Sequence, residues 1–222
     1  MPTFTTAKRS RIRLAVFAAF LWMQISAPLH ALTLPPGFSE QTIGAGWVNP
    51  VGLAIDPSPQ GASRLYVWER AGRVWIVENG VKLATPLIDI REEVANWADY
   101  GMLGFALHPN FQQNGYIYLF YVVDRYHLLN AGTPGYDPAA NIDFAATIGR
   151  ITRYTARTSD GFHSVDPATR TVLLGESITT GIPIVHLSHG VGQLVFGNDG
   201  TLLASCGEAA NFFEVDDGTN PA

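Results

Sequence analysis

The chain has one cysteine, Cys206, in 222 residues, so no internal disulfide can form. Cys206 ends an apolar, strand-like stretch, where a buried and inert thiol is the default expectation. Positive charge is also short. Fourteen Lys and Arg face nineteen Asp and Glu, for a net charge of −5, with no basic stripe beyond the N-terminal segment. That argues against a nucleic-acid partner. There is no Gly-Xaa-Ser-Xaa-Gly elbow and no phosphate-cradling glycine loop ahead of a helix, which excludes the hydrolase and dinucleotide-binding readings. Low-complexity tracts are missing, and no segment after the N-terminus shows helical periodicity.

What is present begins with Lys8, Arg9, Arg11 and Arg13 ahead of an apolar run from Leu14 to Trp22. Small residues and Leu29-His30-Ala31 follow, the pattern of a secretory signal peptide over residues 1–31. The run is too short to span a bilayer comfortably. The chain is therefore expected to be exported, to the periplasm or the exterior, without stable membrane insertion after cleavage.

The remainder, residues 32–222, repeats itself. Val51–Pro57 and Arg64–Trp68 form one strand–turn–strand unit, Met102–Pro109 and Tyr116–Tyr121 a second, and Gly192–Gly197 and Thr201–Cys206 a third. Pro, Gly and Asn punctuate the turns. The first two units continue into a strand opening on Gly-Arg, at Gly72-Arg73 and Gly149-Arg150. Repeated strands at this period predict an all-β fold of β-propeller blades rather than a β-sandwich. About three blades are present, too few to close a ring, so residues 32–222 are expected to be the N-terminal part of a longer propeller. A 24-residue insertion, Asp124–Thr147, is predicted as an irregular loop. It either covers a blade edge or, through Tyr126, His127 and Tyr136, walls a ligand site.

His189 stands just before the third unit, where a strand mouth can hold a catalytic base. A neutral imidazole accepts a proton near neutral pH. The bland alternative is a histidine hydrogen-bonded at a blade edge. His186 and His189 are spaced like a metal pair, but without clustered carboxylates no metal site is predicted from this chain. His108, followed by Pro109, is expected to cap a turn. Arg150 and Arg153 are read as solvent-facing or paired structural charges.

Two long motifs carry a resemblance. Tyr100-Gly101-Met102-Leu103-Gly104-Phe105-Ala106-Leu107-His108-Pro109-Asn110-Phe111 comes first, followed by Asn114-Gly115-Tyr116-Ile117-Tyr118. His189, Gly192, Leu194, Phe196, Gly197, Asp199 and Gly200 form the second. Together with Leu34-Pro35-Pro36-Gly37-Phe38, they make residues 34–210 similar to the soluble pyrroloquinoline-quinone (PQQ)-dependent glucose/sorbosone dehydrogenase family. The resemblance implies a six-bladed propeller that oxidises the anomeric hydroxyl of an aldose, passing hydride to PQQ in the presence of calcium and electrons to an external acceptor. It places His189 at the general base. Asp99 and Glu208 become candidate substrate- or cofactor-binding residues, and both depart from the family pattern, as does Ser188 before the base. The family's main quinone and calcium ligands match nothing in this chain, so the isolated segment is expected to be inactive. The alternative is a non-catalytic propeller that binds carbohydrate or protein.

Overall fold

The computed structural model describes residues 34–56 and 64–208. The expected signal peptide over 1–31 lies outside the described residues. The chain divides into two units, Met1–Gln41 and Thr42–Ala222. In the first, the described residues form a turn closed by the Phe38 amide on the Pro35 carbonyl at 3.1 Å.

The second unit is built of antiparallel sheets that follow one another along the chain. The first contains β1 (Pro50–Ile55), β2 (Arg64–Glu69), β3 (Arg73–Glu78), β4 (Val81–Lys82) and β5 (Ile88–Asp89). They run as a meander in which β4 and β5 pair with successive parts of β3. The second contains β6 (Met102–Leu107), β7 (Tyr116–Val122), β8 (Thr147–Ala156), β9 (Val165–Leu174) and β10 (Ile182–Ile184). Here β9 and β10 pair with different stretches of β8. The third pairs β11 (Val191–Phe196) with β12 (Leu202–Cys206).

Each sheet opens on a strand with a register irregularity near its start, at Pro50/Gly52, Met102/Gly104 and Val191/Leu194. Such bulges sharpen local twist. The repeat seen in the sequence is therefore a repeat of structure. The three sheets are propeller blades, with β6 beside both β1 and β11. At that seam Gly104 is obligatory in practice: a Cβ there would lie 2.8 Å from Cβ of Phe120 and 2.9 Å from the Gly192 carbonyl oxygen.

The period-2 geometry of strands explains why β7 is apolar throughout. Ile117, Leu119 and Tyr121 enter the core shared with Tyr66, Trp68, Val74 and Ile76 of the first blade. Tyr118, Phe120 and Val122 enter the opposite core, with Val191 and Leu194 of the third. The middle blade is thus buried on both faces. The indole N–H of Trp68 crosses from the first blade to the Leu103 carbonyl at 3.1 Å.

Several expectations need correction. The insertion is not irregular at its start: Arg125–Asn130 forms a helix, α2, the counterpart of the single turn α1 (Phe111–Asn114). Asp124 caps α2, its Oδ1 accepting the amides of Tyr126 at 2.8 Å and His127 at 3.2 Å. Six residues are too few to show helical periodicity, so a cap residue was the only available signal. Cys206 is exposed, not buried, because nothing described packs on the outer side of β12, whose residues from Leu203 to Cys206 are all exposed. Of the two readings of Arg150, the paired one holds: it is buried and paired with Glu93. The Arg153 guanidinium lies over the Tyr116 ring, 4.4 Å from its centroid. Among the described residues, no helix is long and apolar enough to cross a membrane.

Candidate active site

Three connections meet around His189. They are the β10–β11 segment that carries it, the end of β12, and the long β5–β6 segment over residues 90–101. His189 takes a left-handed backbone conformation, φ +54°, uncommon for a side chain of this size. It is held there by its neighbours. The Gly207 amide bonds the Gly190 carbonyl at 2.8 Å. A Cβ on Gly207 would come within 2.2 Å of the His189 carbonyl oxygen, so only glycine permits the two segments to lie together.

This approach sets Glu208 beside the imidazole. A hydrogen-bonded ion pair joins His189 Nδ1 to Glu208 Oε1. Asp99 is carried in by the Asp99 amide on the Leu187 carbonyl at 3.2 Å, and by the Tyr100 hydroxyl on the His186 carbonyl at 3.0 Å. The Glu208 hydrogen bond and charge raise the His189 pKa above its ordinary value, with a smaller contribution in the same direction from Asp99. The hydrogen bond from His189 in turn holds Glu208 below the usual carboxylate range. Both side chains are more than half exposed, so the site is open to a ligand.

The structure therefore brings His189, Glu208 and Asp99 together. His186 Nδ1 lies 3.1 Å from the hydroxyl of the buried Ser188. His108 caps its turn as expected, Nδ1 accepting the Asn110 amide at 3.0 Å. Tyr126, His127 and Tyr136 engage one another. The two tyrosine rings stack at 5.8 Å, and His127 Nδ1 lies 2.7 Å from the Tyr136 hydroxyl. The aromatic that the insertion does extend to the β5–β6 segment is Phe144, 4.7 Å from Trp97 between ring centroids. Sequence reasoning missed both. The only signal was Trp97's position two residues before Asp99.

As a cradle for PQQ, a multiply anionic quinone, this arrangement does not fit. Two of its three converging side chains are carboxylates, which repel such a ligand. Among the described residues there is also no group of three or more His, Cys, Asp or Glu arranged to hold a metal ion. What the arrangement supplies is an imidazole oriented by a carboxylate.

The sequence matches the Glucose / Sorbosone dehydrogenase family over residues 48–221. The chain belongs to that family. The curated relatives it resembles include the HIPL2 protein of Arabidopsis thaliana, 27% identical over 198 residues, covering 78% of this chain and 27% of the relative. The human Hedgehog-interacting protein is 29% identical over 176 residues, covering 77% of this chain and 22% of the relative. The chain thus spans about a quarter of the length of these relatives. Among solved structures it is similar to the PQQ-bound aldose sugar dehydrogenase of Streptomyces coelicolor, with 22% identity and a TM-score of 0.47 over 81% of this chain and 44% of that one. The soluble aldose sugar dehydrogenase of Escherichia coli in its apo-form gives 22% and 0.47, over 72% and 38%.

Proposed function

We propose that this chain is the base-bearing part of an exported, PQQ-dependent sugar dehydrogenase, in which His189 removes the proton of an aldose's anomeric hydroxyl. The observation that supports it most is the His189–Glu208 pair with Asp99 nearby, in a chain of the Glucose / Sorbosone dehydrogenase family. A carboxylate on Nδ1 selects the tautomer with its proton there. Nε2 is then left to accept the hydroxyl proton. The imidazolium that forms is stabilised by the Glu208 carboxylate and, to a smaller degree, by the Asp99 charge. Asp99 is also able to accept a hydrogen bond from a sugar hydroxyl. Removing the hydroxyl proton makes the carbinol carbon a better hydride donor.

The two-electron acceptor in this reading is PQQ, with calcium and an external electron acceptor, and the groups that would hold them are not among the described residues. Export to the periplasm or exterior is inferred from residues 1–31 alone. The test uses the full protein that contains this chain, supplied with PQQ and calcium. Aldose-dependent dye reduction is expected, and His189→Ala should lower it by about 10²–10⁴-fold. Undiminished dye reduction by that variant would sink the assignment.

A second reading has its own support in the 29% identity to human Hedgehog-interacting protein. It makes the propeller a protein-binding module in which Asp99 and Glu208 serve recognition rather than chemistry. That reading predicts no quinone binding by the full protein.

A further inference from the structure

We propose that His163 is a protonation-dependent clasp between the first two blades: as an imidazolium it ties the turn between β8 and β9 to β2 and β3, and on deprotonation it lets that turn go. The clasp is independent of the sugar reading above.

The turn covers residues 157–164 of the middle blade and contains a single 3-10 turn, Thr158–Asp160. Residues 157–161 are exposed. Gly161 has φ +69° and Phe162 φ +65°, the latter a conformation that a bulky side chain rarely takes. The Phe162 ring packs on the core, 4.9 Å from Phe111 between centroids. An exposed segment with so little apolar contact is of the kind that opens locally. Just beyond it the Val165 amide reaches the Leu87 carbonyl of the first blade at 3.2 Å, which confines such opening to the turn.

Polar contacts fasten the turn to the first blade. Arg64 Nη1 donates to the Gly161 carbonyl at 2.9 Å, and His163 Nε2 lies 3.0 Å from Glu78 Oε1. Arg64 and Glu78 face each other across β2 and β3, and Arg64 Nε donates to the same Oε1 at 2.8 Å. One carboxylate oxygen thus serves both its neighbouring strand and the turn.

The surroundings of the ring select its charge. His163 Nδ1 lies 2.5 Å from the Asp160 carbonyl oxygen, while Nε2 faces Glu78. Burial of Glu78 is outweighed by the hydrogen bonds from His163 and Arg64, which hold it below the usual carboxylate range and therefore ionised. Both oxygens then only accept, and a neutral imidazole has a single N–H. Either neutral tautomer would turn a nitrogen lone pair on an oxygen lone pair; the imidazolium donates to both.

The other charges nearby modulate this. The Asp160 carboxylate is turned to its own segment, accepting the His163 amide at 2.9 Å and the Ser164 hydroxyl at 2.5 Å. Arg64 Nη2, 3.4 Å from Nε2, opposes the protonated form and keeps the ring titratable. Tyr66, further along β2, is pushed up to about 12 by burial and stays neutral. The Asp160 carbonyl and Glu78 outweigh burial and Arg64, and the His163 pKa is raised. A group raised in the folded state contributes stability that is fully present below its unfolded pKa, about 6.5, and lost as pH rises through the folded value. The clasp therefore closes on the acid side of that value and opens on the alkaline side.

The experiment is hydrogen exchange on the full protein, read by mass spectrometry from about pH 5.5 to about pH 8.5. Exchange of the His163 ring C2 hydrogen gives the titration midpoint, expected above about 6.5. Amide exchange over residues 157–164, corrected for its intrinsic pH dependence, should quicken roughly two- to fivefold across that midpoint, with the β7 amides unchanged. His163→Gln should lose this dependence, and Glu78→Gln should lower the midpoint. Both side chains are about a third exposed, so both variants should fold. A midpoint at or below about 6.5, a turn whose exchange ignores pH, a dependence that survives in His163→Gln, or a midpoint unmoved by Glu78→Gln would overturn the proposal.

Discussion

Replacing Glu93 by glutamine tests how the first two blades are held together. Glu93 is 5% exposed, on the β5–β6 segment. Its Oε1 accepts the Tyr121 hydroxyl at 2.5 Å, Arg150 Nη1 at 2.6 Å and Arg170 Nη2 at 2.5 Å. One carboxylate oxygen thus ties β7, β8 and β9 of the middle blade to the segment arriving from the first. Burial alone would raise the Glu93 pKa, but the Arg170 charge, the Tyr121 hydroxyl and Arg150 outweigh it and hold it below the ordinary value. Glu93→Gln keeps the shape and removes the charge. Arg150, with 6% of its side chain exposed, is then left with neutral acceptors alone, among them the Gly175 and Glu176 carbonyls, and no counter-charge at position 93. Removing one partner of a buried ion pair costs about 3–5 kcal/mol. Arg170 is one-third exposed and partly screened, so the lower part of that range, about 3–4 kcal/mol, is expected. For a domain of this size that is a fall in Tm of roughly 6–16 °C, read by near-UV circular dichroism. A carboxylate depressed in the folded state contributes stability above its unfolded pKa, and that contribution is lost as pH falls through the folded value. The gap between the two proteins should therefore be constant above about pH 5 and close below the usual carboxylate range, about pH 4. A Tm loss under about 3 °C, or a gap that fails to narrow as pH falls below about 4, would refute the reasoning.

Two further outcomes follow from the site and the blade seam. Because Glu208 raises the His189 pKa, and a base works only when unprotonated, the rising limb of the pH–rate profile should move to lower pH in Glu208→Gln, with a lower plateau; a limb that stays put or moves to higher pH would count against the pairing. Gly104→Ala should destabilise the protein by about 1–3 kcal/mol, because its Cβ would press on Phe120 and on the Gly192 backbone; urea denaturation with unchanged stability would show that β6 and β11 do not approach as described.

The strands were legible because each satisfies a local rule. Tyr116–Tyr121 was expected as a strand from apolar and aromatic residues after Asn114-Gly115, and β7 runs Tyr116–Val122. Gly149-Arg150 opens a strand as read, and β8 adds two residues before it. The two-residue strands β4 and β5 are too short to leave a pattern. Long-range partners left none either. Glu93 and Arg150 are 57 residues apart and Glu93 and Arg170 are 77 apart, so no spacing announces their shared oxygen. His189, Asp99 and Glu208 were all nominated, but as separate roles; that Glu208 is the hydrogen-bond partner of His189 emerges only when Gly207 lets the two segments touch. Cys206 was misjudged for a related reason. An apolar strand is buried only if something covers its faces, and coverage is a property of neighbouring elements.

That dependence bears on the proposed base itself. His189 and Glu208 are joined through the third blade, which is two strands in the described residues, with Val195 57% and Leu203 54% exposed. The middle blade behind it is packed on both faces. One side of the site therefore rests on a rigid core and the other on a sheet with little apolar cover, and elements of the second kind open most readily. A catalytic pair requires its geometry to be held within about 0.5 Å. Any cover on Val195 and Leu203 would therefore act on the proposed chemistry without touching substrate. Weakening that cover should lower activity before it lowers the melting temperature of the first two blades.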